Sequence, residues 1–278
     1  MRLSFLGLAL AATLAGLPAT AAQLPSVVLA PHRVVYDLSL ASSTGSRGVE
    51  SARGRIAFDF LGDACEGYAL TYRQVTVLDS GEVGPRTSDL RTTTFEAGDG
   101  SSFRFKTESD MQGAPAKRLD GDAERKQDGM LAVRLKQPKP ERLTFGDDPV
   151  FPSEHMKRLI AAAEAGETTL SLKVFDGSDD GRKVYDTLAV IGHKADAADL
   201  SKVEPALRTD AMQKLARWPV TLSYFNTGQA GEQTPAYTLA FQLYENGVSG
   251  NLRLDYGEFA LKGEVSRFEL MPAKACQR

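Results

Sequence analysis

Apolar residues recur at every second position along most of this chain, and that period of two constrains its fold more than any other feature. In residues 32–40, Val34, Tyr36, Leu38 and Leu40 alternate with Val35, Asp37 and Ser39. The pattern returns in residues 54–60 with Ile56, Phe58 and Phe60, in 68–78, in 102–106 around Phe103 and Phe105, and in 131–135. Past the middle of the chain it resumes in 168–175, 183–191, 220–225, 236–244, 250–256 and 259–270. Successive side chains of a strand point to opposite faces, so each run reads as a half-buried strand. Glycine- and aspartate-rich stretches at 45–48, 79–81, 98–100 and 128–129 separate several of them, as hairpin turns require. About a dozen short strands in close succession predict an antiparallel all-β fold, either a barrel or a curled open sheet.

Between residues 147 and 166 the period changes. Asp148-Pro149 and Pro152-Ser153 punctuate the start, Met156, Leu159, Ile160 and Ala163 recur at helical spacing, and Gly166 stops the run. This predicts a short helix with Ser153 as its cap. A weaker helical stretch lies at 207–218, between Pro205 and Pro219. The first helix is a candidate domain boundary, but helices commonly cap curled sheets, so the expected organisation is one domain over residues 22–278. No internal repeat of 20 to 50 residues indicates a solenoid or propeller.

The N-terminus has the three parts of a secretory signal: Met1-Arg2, an apolar stretch at 3–17, and the small residues Ala19-Thr20-Ala21. Cleavage between Ala21 and Ala22 would remove it, leaving a protein that does not span a membrane. The alternative, a membrane anchor, needs roughly 20 apolar residues, and Pro18 ends this stretch early. The two cysteines, Cys65 and Cys276, are the whole complement of the chain. In an exported protein an even count with no competitor predicts one long-range disulfide, against the alternative of two unpaired thiols. Closing so long a loop stabilises by roughly 5 kcal/mol at most.

Motifs for catalysis are scarce. His32, His155 and His193 share no metal-ligand spacing, and no HExxH, G-x-S-x-G, P-loop or GxGxxG run is present. The stretch Asp176-Gly177-Ser178-Asp179-Asp180-Gly181 raises the question of a calcium loop, but it lacks EF-hand spacing and a closing glutamate. A turn whose acids bond the local backbone explains it better. A formal net charge of −3 gives no reason to expect nucleic acid. Basic residues between 86 and 142 are interleaved with Asp89, Glu96, Glu108, Asp110, Asp120, Glu124 and Asp128, the mark of a solvated mixed-charge sheet face. The residues therefore predict no catalytic, cofactor or metal site. Alternation alone leaves open whether the sheet encloses a filled core or an acyl-chain cavity.

Several segments together resemble the EipB family of cell envelope integrity proteins, a periplasmic family of alphaproteobacteria. They are Ala30-Pro31-His32-Arg33-Val34-Val35-Tyr36-Asp37-Leu38, the Phe151-Pro152 approach to His155, Val174-Phe175-Asp176-Gly177-Ser178 with Lys183-Val184-Tyr185-Asp186, Leu222-Ser223-Tyr224-Phe225, Pro235 and Tyr237, Tyr244-Glu245-Asn246-Gly247-Val248, and Leu254-Asp255-Tyr256-Gly257-Glu258-Phe259. The resemblance implies a monomeric periplasmic protein whose long antiparallel sheet curls into an open, spiral-like barrel, similar to lipoprotein carriers, with a helix at its mouth and a disulfide joining Cys65 to Cys276. It further implies a non-enzymatic role in envelope integrity under stress, with a periplasmic tetratricopeptide-repeat protein as partner. Lipid or lipoprotein binding follows only by analogy of fold, and an enzyme acting on envelope polysaccharide or lipid is the remaining alternative.

Overall fold

A computed structural model describes residues 27–44, 48–81, 84–227 and 234–273. Eight strands precede the long helix: β1 (His32–Ser43), β2 (Ser51–Asp63), β3 (Gly67–Asp79), β4 (Pro85–Glu96), β5 (Ser102–Met111), β6 (Lys117–Arg125), β7 (Leu131–Gln137) and β8 (Glu141–Phe145). Helix α1 (Pro152–Glu164) is followed by β9 (Thr169–Val174), β10 (Tyr185–Ile191), the single turn α2 (Asp210–Gln213), β11 (Arg217–Asn226), β12 (Tyr237–Tyr244), β13 (Ser249–Asp255) and β14 (Phe259–Leu270). All fourteen strands form one antiparallel sheet, ordered β8 to β1 and then β14 down to β9. Sequence neighbours pair throughout, apart from two places. The first and last strands, β1 and β14, zip together from His32 with Leu270 to Ser43 with Phe259. In contrast, β8 and β9 are the two outer edges of the sheet and do not pair. The sheet is not closed.

The outer edges overlap instead of meeting. Phe151, just before α1, and Phe175, just after β9, are fully buried against Phe103, Phe105, Leu131, Val133 and Leu135 on the inner face of β5 and β7. Phe175 meets the Phe105 ring edge-on at 5.6 Å, and Phe151 stacks on Phe103 at 5.2 Å. The loop after Phe175 threads against the same rings because Gly177 and Gly181 adopt φ of 67° and 71°. A Cβ on Gly177 would lie 2.5 Å from the Phe105 ring. Polar contacts complete the seam: Arg182 reaches Glu141 at 2.7 Å, and Arg125 pairs with Asp148 and donates to the Pro149 carbonyl at 2.8 Å.

Because every strand reverses the last, α1, the connection between β10 and β11 (residues 192–216) and the β2–β3 turn lie at one end of the curl. Leu159, Ile160, Ala162 and Ala163 of α1 pack on Tyr185, Ala189, Val220, Leu222, Phe241 and Leu243, and reach Tyr68 on β3. Val203, Leu207 and Met212 of the β10–β11 connection pack on Val34, Tyr36, Tyr244, Val248 and Val265. That end is a filled floor.

Two details depart from the sequence reading. The cap of α1 is Phe151, whose side chain makes no capping bond. Burying that ring fixes Phe151 as the cap, so that the helix starts at Pro152 and Ser153 lies inside the first turn. The stretch 207–218 is not a helix: it holds the end of a 3-10 turn (Pro205–Leu207), the four residues of α2, and the start of β11 at Arg217. Pro219 is tolerated within β11 because β10 ends opposite it: the Pro219 carbonyl accepts from Gly192, and no donor is missed from a ladder.

Candidate functional site

The site of interest is the inner face of the curl, filled at the floor and half-open toward the other end. Two buried carboxylates hold the floor in place. Glu96, the last residue of β4, points inward opposite Phe103 and accepts the backbone N–H groups of Ser153 at 2.7 Å and Glu154 at 3.1 Å. It supplies from another strand the cap that Phe151 cannot, at the helix end where negative charge is favoured. Burial pushes its pKa up, and the helix N–H groups and Lys157 pull it partly back. Glu204 performs the same service between β13 and β14, whose pairing stops at Leu252 with Gly263. Its oxygens accept the Val265 N–H at 2.6 Å and the Asn251 N–H at 2.8 Å. Sequence reasoning missed both. For Glu96 a signal existed, an acid at an inward position of a strand; for Glu204 the partners lie 47 and 61 residues away.

The three histidines are far from a shared task. His32 is buried at the start of β1, stacked on Phe58 at 5.5 Å, with its Nδ1 2.8 Å from the Ala30 carbonyl, and burial lowers its pKa. His155 is buried on α1 beside Thr187, and burial, then the nearby Arg158, lower its pKa to about 4. It is a neutral packing residue at neutral pH. His193 lies on the rim of a cleft of about 340 Å³ with Glu164, Glu167, Lys194 and Glu245. Among the described residues no His, Cys, Asp and Glu cluster could hold a metal ion. The stretch 176–181 is a turn with local bonds, as its composition predicts: Asp176 accepts the Ser178 N–H at 2.9 Å, Asp180 the Arg182 N–H at 3.0 Å, and Asp179 the Tyr185 hydroxyl at 2.5 Å.

Cys65 sits in the β2–β3 turn, where Asp63 accepts its backbone N–H at 2.7 Å. Cys276, Ala21 and Ala22 lie outside the described residues. Among the described residues no helix is long and apolar enough to cross a membrane.

Toward the open end, the inner positions of β3 to β5 turn polar. Tyr72 donates to Gln74, Gln74 Nε2 donates to Thr76 Oγ1 at 3.1 Å, and Thr92 meets Thr107 across the β4–β5 pair at 3.1 Å. Half-buried Leu78 and Phe259 flank this strip. Such a surface offers hydroxyl and amide groups beside apolar area, which suits binding; it pairs no nucleophile with a base.

A family model described as EipB-like matches residues 23–272. The chain is 35% identical over 259 residues to the cell envelope integrity protein EipB of Brucella abortus (strain 2308), covering 92% of this chain and 89% of that protein. Its fold matches a Brucella abortus crystal structure described as a beta-barrel-like protein of a domain of unknown function, with a TM-score of 0.80 and 35% identity, over 89% of this chain and all of the other. With the family model spanning residues 23–272 and the likeness covering nearly the full length, this chain belongs to the EipB-like family.

Proposed function

We propose that this protein maintains the cell envelope by binding rather than by catalysis, after export to the periplasm and cleavage between Ala21 and Ala22. The observation that carries the reading is likeness to an envelope integrity protein across 92% of the chain. The site chemistry agrees: each buried ionisable group described above is engaged in capping, turn formation or packing. In the source organism, deleting the gene should raise sensitivity to detergent and to cell-wall antibiotics, and a plasmid copy should restore resistance. Unchanged sensitivity in the deletion strain would overturn the reading. Within it, the mature chain acts as a monomer of one domain, with a periplasmic tetratricopeptide-repeat protein as its partner. Co-purification of the two from periplasm at defined stoichiometry checks that expectation.

A Cys65–Cys276 disulfide belongs to the same proposal. The Met271 N–H donates to the Pro31 carbonyl at 2.8 Å, which puts the end of β14 at the floor, the end that carries Cys65. Only β1 and β2 separate β14 from the β2–β3 turn, about 10 Å at ordinary strand spacing. The six residues from 271 to 276 reach about 20 Å when extended. Nonreducing peptide mapping should find the two cysteines linked; two free thiols in periplasmic material would contradict it.

A second reading, an acyl-chain or lipoprotein carrier, is favoured by the half-open strip at Tyr72, Gln74 and Leu78. Native mass spectrometry of periplasmic material should then show bound lipid, and neither bound lipid nor uptake of a fluorescent fatty acid would remove it.

A further inference from the structure

Sheet edges present unpaired backbone groups, and proteins usually guard them with charge, proline or a covering segment. The edge at β9 is guarded along only part of its length. The Val150 N–H donates to the Lys173 carbonyl at 2.8 Å, and the Phe175 N–H donates to the Val150 carbonyl at 3.0 Å. The chain thus begins a parallel strand against β9 at Val150. It goes no further, because Asp147 and Asp148, at φ of 63° and 48°, turn the backbone away. These bonds also fix which way the backbone groups point. Lys173 and Phe175 face the edge, whereas Thr168 accepts from Ile191 and faces β10. By alternation, Thr169 and Ser171 direct their N–H and C=O groups outward. Both residues are exposed.

Among the described residues, the outer positions directly beside Thr169 and Ser171 on β10 and β11 carry no charge. Next to Thr169 and Ser171 on β10 stand Leu188, 37% exposed, and Val190, 50% exposed, and beyond Val190 on β11 is Thr221. Charges stand at its two ends: exposed Glu167 precedes Thr169, and beyond Ser171 Lys173 lies 2.8 Å from Asp186 and 3.7 Å from Asp147. The outer face of the other half is different: Arg33, Asp37, Arg55, Asp59, Arg73 and Asp89 form ion pairs along it. A charged partner would lose solvation against Leu188 and Val190 with nothing to compensate it, so the surface complements an uncharged one.

We propose that the Thr169–Ser171 edge of β9 is a docking site for an extended, uncharged segment of a partner protein, which adds to the sheet as a further strand and lays its side chains beside Leu188 and Val190. The mode is strand addition: backbone groups supply affinity and the flanking surface selects the side chains. It stands on the edge geometry and does not depend on the envelope role.

The test uses the full mature protein and an end-blocked heptapeptide of alternating threonine and valine, at millimolar concentration. Amide exchange at Thr169 and Ser171 should slow at least tenfold on adding the peptide, and a version with lysine and glutamate in place of the valines should bind at least tenfold more weakly. Ser171→Pro removes an N–H that serves no bond to β10 and should weaken binding at least tenfold. Val190→Lys, which leaves the backbone intact, should do likewise, with unchanged unfolding midpoints showing that the fold persists. Absence of protection at Thr169 and Ser171, or binding indifferent to both substitutions, would overturn the assignment. So would protection that grows with protein concentration in the absence of peptide, since the edge would then be taken by a second copy of the chain.

Discussion

The sheet has two seams where distant parts of the chain come together, and they are built on different principles. At β1 and β14 the ends of the described chain are joined by a long backbone ladder that two bulges interrupt. At β8 and β9, strands close in sequence fail to pair, and the overlap is held by Phe151, Phe175 and a few polar contacts on the inner face of β5 to β7. A ladder draws on groups that every residue carries, so no single side chain decides it. The overlap draws on particular rings and on glycines that make room for them, so it has points of failure. Phe175→Ala should therefore produce the largest effect of any substitution at either seam, a loss of about 4 kcal/mol. Denaturant unfolding measures it, and limited proteolysis should place new cleavage in residues 175–184. Gly177→Ala attacks the same contact from the other side, combining a left-handed backbone with a Cβ driven into the Phe105 ring, for about 3 kcal/mol.

The floor helix carries a buried group, His155, whose titration predicts acid sensitivity. His155 takes a proton near pH 6.5 when unfolded and near pH 4 when folded. Its folded pKa is depressed, so the stability it contributes is complete above pH 6.5 and is lost as pH falls toward 4, by about 3 kcal/mol. His32, lowered in the same direction, adds to this slope. Glu96 and Asp176 oppose it, since burial raises their pKa and their contribution is greatest at low pH and lost as pH rises. Unfolding free energies from pH 7 to 4 should show the loss, and His155→Gln should flatten it. Glu96→Ala leaves two helix N–H groups without their acceptor and should cost about 2 kcal/mol at neutral pH. Arg182→Ala removes a partly exposed ion pair at the overlap and should cost less than about 1 kcal/mol.

The ladder was more legible in the sequence than the overlap, for the same physical reason. Strands with alternating large apolar residues, such as β1, β2 and β11, are plain from their period. β4, β6 and β8 are not individually visible. β4 carries only Leu90 and Phe95 as apolar side chains in twelve residues, and β6 uses Gly121 at an inward position because the Phe105 ring would sit 2.5 Å from any Cβ there. Their neighbours impose the pairing. The helix was visible in its spacing and its Gly166 stop, but its cap was not, because Glu96 lies 57 residues from Ser153. The inner surface was undecided between core and cavity because alternation assigns faces without saying what covers them. The structure divides it: a filled floor under α1 and residues 192–216, and a partly buried polar strip on β3 to β5.

Amide hydrogen exchange on the isolated protein compares the seams residue by residue. Amides of β1 and β14 within the ladder should exchange only by global unfolding, whereas Thr169 and Ser171 should exchange orders of magnitude faster while the even-numbered amides of β9 stay slow. Protection at Thr169 and Ser171 equal to that of Asp37 and Glu264 would mean that the sheet closes through its backbone, and would contradict an open curl held by side chains.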